Sequence, residues 1–115
     1  MNSTPQINLA YLESTFGNNK MVIDKILNSF VSNTPQLMED LSQHAEKGNR
    51  EDVKMVAHKM KSSFNTLGAT EVGGLLAKIE TEAISGNPES LTSMINQVKE
   101  LNELVFKEIQ EELNK

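Results

Sequence analysis

His58 is the residue best placed to do chemistry in this chain. Take it as the zero of angle and step ~100° per residue along a helix. Lys54, Lys61, Ser62 and Asn65 then share its face, at i−4, i+3, i+4 and i+7, with Met55 at the edge. Val53, Val56, Ala57, Met60, Phe64 and Leu67 form a stripe centred roughly 150° away. The spacing therefore puts the imidazole in water between two lysines, in a chain whose net charge is −5. A free imidazole titrates near pH ~6.5, so a sizeable neutral, nucleophilic fraction exists at neutral pH. This arrangement suits attack on phosphorus. The product carries extra negative charge, which Lys61, one turn away, can meet as a point charge. Lys54 can do the same or touch an acidic partner. In-line transfer needs open space beside the ring, and Ser62 is small. Spacing alone does not assign the role, because an exposed helical histidine is usually an ordinary surface residue.

Other chemistries have less to work with. The chain has no cysteine, hence no disulfide, thiolate metal site or Cys nucleophile. His44 is the other histidine, and it has no HxxxH partner and no Glu-x-x-His pair on a matched helix. No metal and no cofactor are expected. There is no nucleophile elbow, GxGxxG or Walker pattern. A pI of about 5.0 argues against nucleic acid or an anionic membrane as the main partner. The first residues lack the basic start and apolar run of a signal peptide. No stretch approaches the roughly 20 apolar residues of a membrane span. A cytoplasmic protein is expected.

The elements that must hold His58 are marked by regular punctuation at Gly17-Asn18-Asn19, Gly48-Asn49, Gly68 and Gly86-Asn87-Pro88. A short segment from Pro5 to Phe16 can set Ile7, Tyr11 and Leu12 on one face. The next, Lys20 to Lys47, carries Ile23, Ile26, Leu27, Phe30, Leu37, Leu41 and Ala45 on one face. Pro35 interrupts it, but the apolar phase runs unchanged from Phe30 to Leu37. One long bent helix is expected, ended by Gly48. The histidine helix runs from Arg50 to Leu67 with Asn49 as its cap and Asp52 near its positive end. The fourth segment, Glu71 to Ser85, is capped by Thr70 and buries Val72, Leu75, Leu76, Ile79 and Ala83. Gly73 and Gly74 near its start together cost roughly 2 kcal/mol against alanine, which close packing there would explain. The last helix starts at Asn87-Pro88-Glu89 and buries Leu91, Met94, Ile95, Val98, Leu101, Val105 and Ile109. The sum is an all-α fold: an antiparallel up-down four-helix bundle with a short extra N-terminal helix.

The segment Ala57 to Glu80, AHKMKSSFNTLGATEVGGLLAKIE, resembles the signature of the histidine-containing phosphotransfer (HPt) family. That signature reads AHxLKGSxxxLGA, then a helix of small and aliphatic residues ending in Leu-Glu. Ala57, His58, Lys61, Ser63, Leu67, Gly68 and Ala69 fall where the family has them. Tyr11-Leu12, Phe16-Gly17, Leu27 to Phe30, Thr34-Pro35 and Leu37 to Leu41 extend the likeness, which covers about residues 5 to 86. The last helix matches in character only. The resemblance implies a single HPt domain over 1–115, with His58 as phosphoacceptor through Nε2 and Lys61 beside the phosphoryl group. It implies a phosphorelay intermediate that takes phosphate from one receiver-domain aspartate and gives it to another. The partners would be response-regulator receiver domains of a hybrid sensor histidine kinase and of a downstream regulator. It also implies a carrier without kinase activity. Lys54, Met55, Ser62 and Asn65 would form the docking face of a monomer. Two positions depart from the family: Ser62 replaces the usual Gly, keeping most of its room, and Met60 replaces Leu. The rival reading is a bundle that only mediates protein contacts, with His58 never phosphorylated.

Overall fold

The computed structural model describes residues 5–115; residues 1–4 of the 1–115 range lie outside the described residues. Five helices follow in order: α1 Leu9–Phe16, α2 Lys20–Lys47, α3 Arg50–Thr66, α4 Thr70–Ser85 and α5 Pro88–Leu113. No strand occurs among the described residues. The links between α2, α3, α4 and α5 are only two or three residues long, which forces the chain to double back at each. α2 and α4 each pack against both α3 and α5, so the four long helices close a ring, and α1 leans on α2. The 28 residues of α2 reach about 42 Å at 1.5 Å per residue, matching the 42 Å longest dimension.

The helical stripes point where their spacing says. Val53, Val56, Ala57, Met60, Phe64 and Leu67 of the α3 segment are all buried. Phe30 of α2 meets Phe64 edge-on at 4.8 Å between ring centres, and Phe106 of α5 at 6.0 Å. α2 passes Pro35 without a break, because Thr34 (buried) and the apolar residues on either side hold it to the core. Ile26, Leu37, Ala45, Leu75 and Leu101 are only partly buried at the margins of that core.

Three end signals differ from the sequence reading. Asn49 stands at the α3 cap position, but its side chain makes no cap bond; it turns instead toward His44 Nδ1 at 3.5 Å. Thr70 is the first helical residue of α4, and buried Ala69 occupies the cap position. Tyr11 does not join Ile7 and Leu12 in the core and is 46% exposed. Helix α1 begins only at Leu9, with the Asn8 side chain accepting from Tyr11 N, so Ile7 lies outside the helical phase of the other two. Asn87 behaves as expected and accepts from the Glu89 and Ser90 amides.

The α3–α4 pair is the most closely packed in the bundle, and its contacts run in reverse order along the two helices. Near the loop, the Asn65 side chain lies over Gly73, where a Cβ would overlap its Oδ1. Midway, residues 58 and 61 face Glu80. At the far end, Arg50 Nη1 donates to the carbonyls of Ala83, Ile84 and Gly86 at 3.0–3.3 Å. Close packing thus accounts for Gly73. It does not account for Gly74, whose missing Cβ would meet nothing within 4 Å. Gly68 in the connecting loop has φ +71, and a Cβ there would come 2.6 Å from Asn8 Cβ, in a segment tied down by Asn8 N donating to Leu67 O at 2.8 Å.

These two glycines predict opposite outcomes in urea denaturation. Gly74→Ala raises stability by up to ~1 kcal/mol through helix propensity. Gly68→Ala lowers it by at least ~1 kcal/mol through left-handed backbone strain and the overlap with Asn8.

Candidate functional site

The site is built on the outer face of α3, opposite the buried stripe. The His58 side chain is 66% exposed. Lys54, Met55, Ser62 and Asn65 are exposed on the same helix, Met55 by 57%. The structure therefore brings together the residues that spacing had grouped. Lys61 differs from the others. Its side chain is only 29% exposed, because it leans toward α4 rather than into water.

What draws Lys61 there is Glu80, to which the sequence reading gave no role. The Glu80 carboxylate binds two partners at once. Oε1 accepts from Lys61 Nζ at 2.7 Å, and Oε2 lies 2.9 Å from His58 Nδ1. The bonded Lys61 ammonium does most to hold the Glu80 carboxyl below its usual value of 4.5; partial burial opposes this, and the His58 contact adds to it. Glu80 is therefore ionised at neutral pH.

That charge state fixes the imidazole. An ionised carboxylate has no proton to give and can only accept. The proton between the two groups must sit on Nδ1. The neutral ring then carries its lone pair on Nε2, at the edge turned away from α4. The arrangement yields one nucleophilic nitrogen of defined identity, with a carboxylate behind it.

His44 lies apart, near the end of α2, with Nδ1 3.8 Å from Asp52 Oδ2. It falls in the last turn of α2, where a cation suits the helix dipole. Among the described residues, no group of three or more His, Cys, Asp or Glu side chains could hold a metal ion. None of the described helices is long and apolar enough to cross a membrane.

Comparison with protein families adds one match. The family model for the Hpt domain fits residues 25–113, which is most of the chain. The chain belongs to the Hpt domain family. The match takes in the whole of α5, which the sequence reading had likened to the family in character only, and starts within α2, past the α1 segment. Searches of curated proteins and of solved structures each gave no match. Hpt domains serve phosphotransfer in two-component signalling, act in general as phosphocarriers rather than enzymes, and interact with receiver domains of response regulators and kinases.

The Glu80 bridge predicts a pH signature. A carboxyl held below its unfolded value adds stability that is fully present above that unfolded value and is lost as pH falls through the folded one. Glu80→Gln removes this contribution. In urea melts between pH 7 and pH 3, the wild type loses more stability on acidification than Glu80→Gln does. Parallel acid limbs for the two proteins would contradict it.

Proposed function

We propose that this Hpt domain is a phosphorelay intermediate that accepts a phosphoryl group on His58 Nε2 from a receiver-domain aspartate and passes it to a second receiver. The observation that carries the reading is the Glu80 contact to Nδ1 of an otherwise exposed ring, which in the neutral tautomer leaves the lone pair on Nε2.

The chemistry balances without an added acid or base. Nε2 attacks the phosphorus of an aspartyl phosphate in line. The N–P bond forms as the P–O bond breaks, and aspartate departs as a carboxylate. The ring keeps its Nδ1 proton and becomes positively charged, a charge the Glu80 carboxylate meets directly. Delivery reverses the step. A second aspartate attacks, the N–P bond breaks and the neutral ring returns with the same proton on Nδ1. Lys61 has three N–H donors and gives one to Glu80; another can turn to a phosphoryl oxygen.

The receiver approaches over the outer face of α3. Lys54, Met55, Ser62 and Asn65 form the docking surface around the ring, and the small Ser62 leaves the in-line path open. The partners are receivers of a hybrid sensor histidine kinase and of a downstream regulator, met in the cytoplasm by a monomeric single domain without nucleotide or cofactor. With its acidic surface, nucleic acid is not among its partners.

The decisive experiment is incubation with a phosphorylated receiver domain, followed by a test for acid-labile label. Wild type takes label and His58→Gln takes none. Label on His58→Gln moves the acceptor elsewhere, and no label on wild type from any receiver favours a contact-only adaptor. Ser62→Phe weakens receiver binding about tenfold or more, since bulk in the approach path must be displaced or accommodated, while its melting temperature stays within a few degrees of wild type. Unchanged affinity places the docking surface on another face.

A further inference from the structure

We propose that the Ser62 hydroxyl is a phosphoryl-binding group, donating a hydrogen bond to an oxygen of the phosphoryl group on His58. The inference rests on the carrier role of His58 and adds a residue to that site.

Three hydroxyls stand in the second half of α3, and two are engaged with their own helix. Ser63 donates to Lys59 O at 3.4 Å and Thr66 to Ser62 O at 3.0 Å. Back-bonding to the carbonyl four residues earlier is one of the two arrangements open to a helical hydroxyl, the other being to point into water. The Ser62 hydroxyl makes no hydrogen bond among the described residues, although it is exposed and the carbonyl of His58 stands at that spacing.

Its place on the helix gives this free donor a target. Residues four apart on a helix are neighbours, with Cβ atoms ~5–6 Å apart, and each Cβ tilts toward the N-terminus. Both side chains tilt the same way, so the Ser62 hydroxyl stands about one turn from His58 on the same exposed face. Direction around the helix matters as well. Lys61 lies ~60° from His58 on one side and Ser62 ~40° on the other. Glu80 and α4 are on the Lys61 side, as the 2.7 Å bond places them. Nδ1 is turned to Glu80, so Nε2 is directed away from the Glu80 carboxylate, and Ser62 is the hydroxyl on that side of the helix face. A phosphoryl group on Nε2 then has Ser62 as a neutral donor on one side, with the remaining Lys61 donors reaching it from the Glu80 side. The side chain is large enough to donate and small enough to leave the in-line path clear.

A hydrogen bond to a charged acceptor favours the phosphorylated form over the free one. The place to read it is the equilibrium partition of phosphate between this protein and a receiver, measured dilute enough that the two are mostly apart. Docking strength cancels from that partition, because it describes the separated proteins. Ser62→Ala, Ser62→Gly and Ser62→Thr are compared with wild type, with the phosphorus-31 resonance of the phosphohistidine recorded for each. We expect Ser62→Ala and Ser62→Gly to shift the partition toward the receiver about fivefold to tenfold and to move the resonance, and Ser62→Thr to stay near wild type. Ser62→Ala is an exposed helical substitution toward a better helix former, so folding is retained. If wild type is labelled on His58 and Ser62→Ala partitions as wild type does, the Ser62 assignment is overturned and the carrier reading stands. If wild type takes no label, both fall together.

Discussion

A single carboxylate, Glu80, is asked to satisfy a lysine and a histidine at the same time, and the site exists only while both contacts hold. Lys61 neutralises it and keeps it ionised. Being ionised, it accepts a hydrogen bond from His58 Nδ1–H, and in the neutral ring the lone pair then falls on Nε2. Remove the lysine and the carboxyl loses its largest source of stabilisation in the charged form. Remove the carboxylate and the imidazole is free to choose either tautomer. The three side chains act as a unit, and no one of them has its role alone.

That unit spans two helices, so it depends on how closely and in what register α3 and α4 pack. Gly73 lets the Asn65 side chain lie against α4. Gly68 makes the tight reversal between the two helices and fits under Asn8. Behind the site, Ala57, Met60 and Phe64 anchor α3 to the core, while Val72, Leu76 and Ile79 anchor α4. The exposed chemistry and the buried packing are thus two faces of the same helices. The buried face fixes each helix's rotation, and rotation decides which side chains meet.

Much of this was legible in the sequence. Apolar spacing gave the burial of α3 and α5 nearly residue by residue, because each stripe needs only the period of its own helix. The same period placed Lys54, Met55, His58, Ser62 and Asn65 on one exposed face. Continuity of the stripe through Pro35 outweighed the helix-breaking residue. The failures were of two kinds. Asn49 and Thr70 are good capping types, but the backbone at those points takes another course, and a residue's preference does not decide that. Glu80 and the half-buried state of Lys61 were missed because they come from contacts between the two helices, made by residue pairs 22 and 19 positions apart in sequence. A helical wheel shows which way a residue faces and is silent on what stands opposite. The segment likened to the Hpt family ended at Glu80, but that likeness supplied no partner for it.

The clasp of Arg50 over the last carbonyls of α4 has a bearing on the imidazole some twelve Å away along the helix, at 1.5 Å per residue. Helices slide past each other in steps of about one turn, roughly 5.4 Å. The peptide loop at Gly68 restrains one end of this hairpin, and the guanidinium, bonded to three carbonyls, restrains the other. A hairpin fastened at both ends cannot ratchet. Which nitrogen of one ring holds the lone pair is therefore decided partly by an arginine that never approaches it: a proton's address set by mechanical alignment at a distance.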